Sequence, residues 1–265
     1  NIGTLPVRDP ERIRRSALLL LWGLCEKLLI ADRIAIPVNA VYSQFGAFGG
    51  VEIILATALY AFQIYCDFAS YSMMALGVAK VLDFGIIENF QTPYFSRSMR
   101  EFWRRWHISL SSWFRDYVYF PMGGSRCGKG KMVFNLVVVW LLTGLWHGEG
   151  VNFLLWGAIL GLLIIMEKLW YGKYLQKLPV LGHIYLVILI PLSWVVFAIT
   201  DPGQLGTYFC RLFPLLGNGG VAVNAQDIVK YLQGYGGLLA IGIVLCIPAV
   251  FDFYEKHKKN PVVIL

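Results

Sequence analysis

Long apolar runs separated by short basic clusters set the pattern of this chain. Leu178–Thr200 holds 23 consecutive residues without Asp, Glu, Lys or Arg, and Tyr231–Phe251 holds 21. About 20 apolar residues in a helix cross the hydrocarbon core of a bilayer, so each run predicts a span. From Met132 to Met166 the one formal charge in 35 residues is Glu149. Two full spans need about 40 residues, so this stretch predicts two somewhat short helices meeting near Gly144-Leu145-Trp146-His147-Gly148-Glu149-Gly150. A break at membrane depth is tolerated where it lines a cavity or is buried in protein.

Upstream, Asp9-Pro10-Glu11 has the form of a helix start, with a capping acid, Pro in the first turn and a second acid. The apolar run Ser16–Cys25 follows, is broken by Glu26 and Lys27, and resumes to Ala31. That charged pair is costly at membrane depth unless paired or facing a cavity. Ile53–Cys66 carries no charge and predicts a span that Asp67 interrupts, after which Met73–Ala79 is a further apolar helical stretch. Residues 94–131 interleave Arg104, Arg105, Arg115 and other basic residues with Trp103, Trp106, Trp113 and Tyr117. Such a mixture suits a helix lying at the membrane interface or dipping into it. The expected fold class is all-α: a polytopic transmembrane helical bundle forming one domain over residues 1–265, with its motif core at 60–160. About six spans are expected, near 16–33, 50–66, 132–147, 150–167, 178–200 and 231–253, with interfacial or re-entrant helices around 67–120 and a loop at 201–230.

Composition agrees with the pattern. Apolar residues make up 57% of the chain and charged residues 15%, where soluble domains carry roughly 25% charged residues. The net charge of +7 is concentrated at 8–15, 97–131, 168–177 and 256–259, and the expected spans return each cluster to one side. The positive-inside rule makes that side cytoplasmic and puts residues 201–230 outside. Basic loops facing an anionic leaflet account for the charge, so the expected partner is a lipid bilayer, in the plasma (inner) membrane, and no nucleic acid. The five cysteines are odd in number and lack metal-ligand spacing, so they read as free thiols, with no metal expected. The chain opens at Asn1 without a signal-peptide pattern and reads as the middle of a longer protein.

Two histidines carry candidate chemistry. His147 sits at the centre of an otherwise apolar stretch, and an ionisable residue there is a functional candidate by default. A desolvated imidazole stays neutral, as a general base must; the competing reading is a histidine hydrogen-bonded to a helix break. Gly144, Gly148 and Gly150 leave room for a substrate or another helix. His107 lies in Phe102-Trp103-Arg104-Arg105-Trp106-His107-Ile108-Ser109. On a helix its neighbours are Trp103, Arg104, Leu110 and Ser111, and the plain reading is an interfacial histidine packed on tryptophans. His183 and His257 read as structural or solvated. Pro121-Met122-Gly123-Gly124-Ser125-Arg126 is a turn beside Lys129 and Lys131, suited either to phosphates or to lipid headgroups. No Walker, dinucleotide or Gly-x-Ser-x-Gly pattern is present.

These segments resemble a known family. Residues 60–71 (Tyr-Ala-Phe-Gln-Ile-Tyr-Cys-Asp-Phe-Ala-Ser-Tyr), 89–94 (Asn-Phe-Gln-Thr-Pro-Tyr), 101–121 and 144–148 (Gly-Leu-Trp-His-Gly) are similar, in order and spacing, to blocks of the membrane-bound O-acyltransferases, in particular the alginate O-acetyltransferase branch. Ser70 and Met122 stand where that pattern has Gly and Leu, and family members are usually longer, so the resemblance implies a fragment.

The resemblance implies passage of an acyl group from a cytoplasmic thioester through a tunnel to a hydroxyl on an extracellular or periplasmic polysaccharide. His147 would be the essential histidine and His107 the second. Trp146 would wall the site. Arg104, Arg105, Arg115 and Asp116 would shape the cytoplasmic entrance or contact donor phosphates, and Asp67 joins them as a donor-side or substrate-side candidate. No bound cofactor is expected: acetyl-CoA, or an acyl carrier protein, would be the donor substrate. A periplasmic or extracellular acetyltransferase partner would complete transfer to an alginate-like acceptor. D-alanyl transfer to teichoic acid is the nearest alternative, and a transporter or membrane scaffold is the non-enzymatic one.

Overall fold

The computed structural model describes residues 9–48 and 50–213, with a few positions between 229 and 240. Among them every regular element is helical, and the one β-type feature is an isolated bridge between Phe90 and Trp106. Helix α1 (Pro10–Cys25) begins as the sequence predicts, with the Asp9 carboxylate accepting from the Glu11 N–H at 3.0 Å. A π-helical turn, Glu26–Ala31, leads into α2 (Asp32–Ser43). Helix α3 (Gly50–Val81) is 32 residues long.

The expected interruption at Asp67 does not occur. Helix α3 runs straight through it, because Lys27 in the π-helical turn places its ammonium 2.7 Å from Asp67 and 2.6 Å from Asp32. A paired carboxylate does not need to leave the helix to find water. Residues 67–81, expected among the interfacial elements, therefore belong to α3.

Small residues weld α1 to α3. Ser16 and Gly23 on one helix and Ser70 and Gly77 on the other are all buried. A Cβ added to Gly23 would stand 2.8 Å from the Ser70 carbonyl, and one on Gly77 would stand 3.0 Å from that of Ser16. Helices within a bilayer gain little from apolar burial against each other, and close backbone approach supplies the contact instead.

The basic, aromatic segment forms two short helices, α4 (Met99–Arg105) and α5 (Ile108–Phe114). After a second π-helical turn, Arg115–Tyr119, come α6 (Lys129–His147) and α7 (Val151–Met166), which meet at residues 148–150 as the sequence predicts. A third π-helical turn, Glu167–Tyr171, and α8 (Gly172–Lys177) lead to α9 (Pro179–Ala198). Residues 202–212, expected as loop, form α10 (Pro202–Leu212), capped by Asp201 and seated on α3 through a 3.0 Å bond between Tyr208 and Thr57 hydroxyls.

Among the described residues four helices are long and apolar enough to cross a membrane: Gly50–Val81, Lys129–His147, Val151–Lys177 and Pro179–Ala198. The run expected near 16–33 is divided between α1, the π-helical turn and α2. The span expected at 231–253 lies outside the described residues. Helix α9 buries Leu186, Ile190 and Trp194, four residues apart, and exposes Val180, Ile184, Val187 and Ile188. A helix apolar on both faces suits lipid on one side and protein on the other. The core gathers Phe102 of α4, Trp106 just after it, and Trp140, Trp156 and Trp194 of α6, α7 and α9.

Helices α6 and α7 touch through Gly144 and Gly157. A Cβ on Gly144 would stand 2.5 Å from the Phe153 carbonyl, and one on Gly157 would run into the Trp140 carbonyl. Gly157→Val should therefore force the pair apart and destabilise the fold by about 1–3 kcal/mol. Thermal unfolding in detergent, followed by size-exclusion fluorescence, should show a lowered midpoint; an unchanged midpoint would contradict this packing.

Candidate active site

His147 is the last residue of α6. Its Nδ1 lies 2.7 Å from the Thr143 carbonyl, one turn back. A carbonyl only accepts, so the ring donates from Nδ1 and keeps a lone pair on Nε2. Gly148, at φ 154°, ends the helix there, and a Cβ on it would stand 2.6 Å from the Phe153 ring. Trp146 and Trp156 each approach the imidazole to 4.9 Å between ring centroids, and Phe197 to 5.4 Å. Asn152 Nδ2 donates to the Phe197 carbonyl at 2.7 Å, tying the start of α7 to the end of α9. The two sequence readings of His147 thus describe one geometry: the bond to the helix end is what leaves Nε2 available.

His107 is not within a helix. It occupies the left-handed region, φ 45° and ψ 56°, between α4 and α5. The helical neighbours expected for it give way to Phe68, 4.7 Å away, and Trp146, 5.9 Å away. Residues 89–91 cause the break by pairing with it: Gln91 N–H donates to the Arg105 carbonyl at 3.0 Å and Ile108 N–H to the Asn89 carbonyl at 3.1 Å. The Asn89 side chain completes the strap. Its Oδ1 accepts from the Ser109 N–H at 3.1 Å and the Ser109 hydroxyl at 2.6 Å, and its Nδ2 donates to Ser72 of α3 at 2.8 Å. With the Ser109 proton committed to Asn89, the Ser109 oxygen offers His107 Nδ1 only a lone pair, in a long 3.4 Å contact. Nδ1 is again the donor and Nε2 is again left over. Burial, and then the neighbouring His147, push the His107 pKa down to about 4.

The buried Glu167 anchors the other end of α4. Its carboxylate accepts from the Met99 N–H at 2.7 Å and from Arg100 Nε at 2.7 Å, acting as an anionic cap supplied from another helix. Sequence reading passed over Glu167, Asn89, Phe68, Trp156 and Phe197. Glu167 was visible as the acid closing a 35-residue apolar stretch, and Asn89 and Phe68 lie inside the quoted blocks; Trp156 and Phe197 carry no local signal.

Of the expected site residues, the structure brings together His107, His147 and Trp146, with Trp146 between the two imidazoles. The others pair elsewhere. Asp67 binds Lys27, Arg105 binds Glu101 at 2.6 Å, and Arg115 and Asp116 bind each other at 2.7 Å. Arg104 is exposed on α4. Among the described residues no group of three or more His, Cys, Asp or Glu side chains is placed to hold a metal ion.

The sequence profile of the membrane-bound O-acyltransferase family matches residues 13–202. A probable alginate O-acetylase, AlgI, of Pseudomonas syringae is 37% identical over 256 residues, covering 94% of this chain and 48% of that protein. A peptidoglycan O-acetyltransferase of Helicobacter pylori is 32% identical over 242 residues, covering 90% of this chain and 42% of the relative. A teichoic acid D-alanyltransferase of Bacillus subtilis is 35% identical over 126 residues, or 43% of this chain and 32% of the relative. The chain spans half or less of the length of these curated relatives.

A folded-state pKa of about 4 for His107, against an ordinary 6.5, has a definite sign. Between these values the unfolded chain takes up a proton that the folded chain refuses, so this group lowers stability as pH falls from 6.5 towards 4 and contributes nothing above that window. Histidine NMR signals of His107 should accordingly show no titration between about pH 5.5 and 8. In Asn89→Ala the strap loosens, water enters and the midpoint moves up towards 6.5; a wild-type midpoint near 6.5 would contradict the buried placement.

Proposed function

This chain belongs to the membrane-bound O-acyltransferase family, and from that premise we propose that it passes an acetyl group from a cytoplasmic thioester donor, acetyl-CoA, across the membrane for O-acetylation of an alginate-like extracellular or periplasmic polysaccharide. The observation that carries the reading is the state of His147: Nδ1 is committed to the Thr143 carbonyl and Nε2 is free among aromatic rings, at the junction of two helices apolar enough to cross a bilayer. In this role Nε2 takes the proton of an attacking hydroxyl. His107 and Trp146 form the facing wall, and the Nε2 of His107 is likewise left over from its Ser109 contact.

The alginate O-acetylase and the peptidoglycan O-acetyltransferase match 94% and 90% of this chain, against 43% and 64% for the D-alanyltransferases of Bacillus subtilis and Streptococcus thermophilus, which supports acetyl as the group carried. D-alanyl transfer is the second reading, supported by those shorter matches. The basic segment 97–131 faces the cytoplasm in this account, with Arg104, exposed beside the α4–α5 break, best placed for donor phosphates. Arg115 and Asp116 neutralise each other and shape the entrance. A partner acetyltransferase outside the membrane receives the group and completes polymer modification.

The test is transfer of labelled acetyl from acetyl-CoA in membranes holding the full-length protein and its envelope partners. His147→Ala should lose at least about 10²-fold in rate, the usual contribution of a positioned base, and His107→Ala should lose less. Undiminished transfer by His147→Ala at matched expression would remove it from the mechanism; transfer of D-alanyl in place of acetyl would favour the second reading.

A further inference from the structure

Three indole nitrogens in the aromatic cluster that reaches His147 through Trp156 are buried without a hydrogen-bond partner: Nε1 of Trp103, Trp156 and Trp194. They come from three helices, α4, α7 and α9. Their rings lie 5.6, 5.7 and 6.1 Å from one another, centroid to centroid, and Trp156 lies 4.9 Å from the His147 ring. Trp156 and Trp194 are 1% and 2% exposed. An indole N–H can only donate, and native interiors rarely strand donors without a reason. Trp156 and Trp194 stack with 24° between their planes, so neither N–H, lying in its own ring plane, addresses the other ring. Trp103 packs T-shaped against both.

We propose that Trp103, Trp156 and Trp194 form an oxygen-binding pocket that holds the carbonyl oxygen of a short acyl group beside His147. The proposal rests on the acyl-transfer reading and names the groups that stabilise its charge. As the acceptor hydroxyl oxygen bonds to the carbonyl carbon, its proton passes to His147 Nε2 and the C=O π pair moves onto the carbonyl oxygen, where the indole N–H groups meet it. Collapse of the adduct restores C=O and breaks the C–S bond, and the imidazolium returns its proton to the departing thiolate. Donors fixed in an apolar surrounding need no reorganisation when that charge appears. Phe197, 5.2 Å from Trp156 and 5.7 Å from Trp194, crowds the same space and selects the smallest acyl groups.

The test replaces Trp156, and separately Trp194, with 2-naphthylalanine by amber suppression in the full-length membrane protein with its partners. The bicyclic ring stays and the N–H goes. Acetyl transfer from acetyl-CoA should fall about 10²-fold in kcat, with KM and thermal midpoint near the wild-type values. Tetrafluorotryptophan at the same position keeps the N–H and should keep kcat near wild type, which separates loss of the donor from loss of packing. Equal losses with both analogues, or full kcat in both naphthyl variants, would overturn the oxygen pocket. His147→Ala runs alongside: if it is inactive while the naphthyl variants are not, only the pocket fails, whereas undiminished transfer by His147→Ala overturns the pocket and the base together.

Discussion

A polar group at membrane depth must find its partner inside the protein, and the pairs that meet this demand organise the molecule. Lipid offers neither donors nor acceptors, so each unmatched group carries its full desolvation cost. Lys27 with Asp67 lets α3 continue as one helix. Glu167 accepts the Met99 N–H at the start of α4. Asn89 satisfies the amide that opens α5 and ties it to α3 through Ser72. His147 adds its ring N–H to the Thr143 carbonyl in the last turn of α6. Each pair joins elements distant in sequence or closes a helix end, so satisfying the backbone and positioning the site are one act.

The site is built from two helix breaks that meet. One is the left-handed residue His107 between α4 and α5; the other is the Gly148 turn after His147. Trp146 stands between the two rings. Small residues hold the frame around them, with Gly23 against Ser70, Gly77 against Ser16, and Gly144 and Gly157 at the α6–α7 contact. Close backbone packing is stiff, and stiffness suits the role proposed for His147, whose one free nitrogen would have to point at a small reacting group. In the proposed mechanism the rings that pack around His147 also bring the donors that meet the developing charge.

Much of this was legible in the sequence, and the reason differs from part to part. Apolar run length marked α6, α7 and α9, because length and hydropathy are nearly sufficient for a membrane helix. His147 stood out because an ionisable residue in such a run needs explaining. Asp67 misled, since a charge inside an apolar run reads as a boundary until its partner, 40 positions upstream at Lys27, is known. The break at His107 was hidden for a related reason. Phe102–Phe114 has no Pro or Gly to announce a turn, and the turn is imposed by the strap at 89–91. The contacts of Trp156 and Phe197 with His147 depend on how α7 and α9 pack, which no local pattern encodes.

The central claim is that acyl transfer takes place where these two breaks meet. Electron cryo-microscopy of the full-length protein with a non-hydrolysable acetyl-CoA analogue addresses it directly. The account predicts density for the acetyl group beside His147 Nε2, with its carbonyl oxygen turned away from that nitrogen towards the indole of Trp156 and with Trp146 on the other side of the ring. An analogue bound with its acyl end away from both histidines, or a His147 ring turned so that Nε2 and not Nδ1 meets the Thr143 carbonyl, would contradict it.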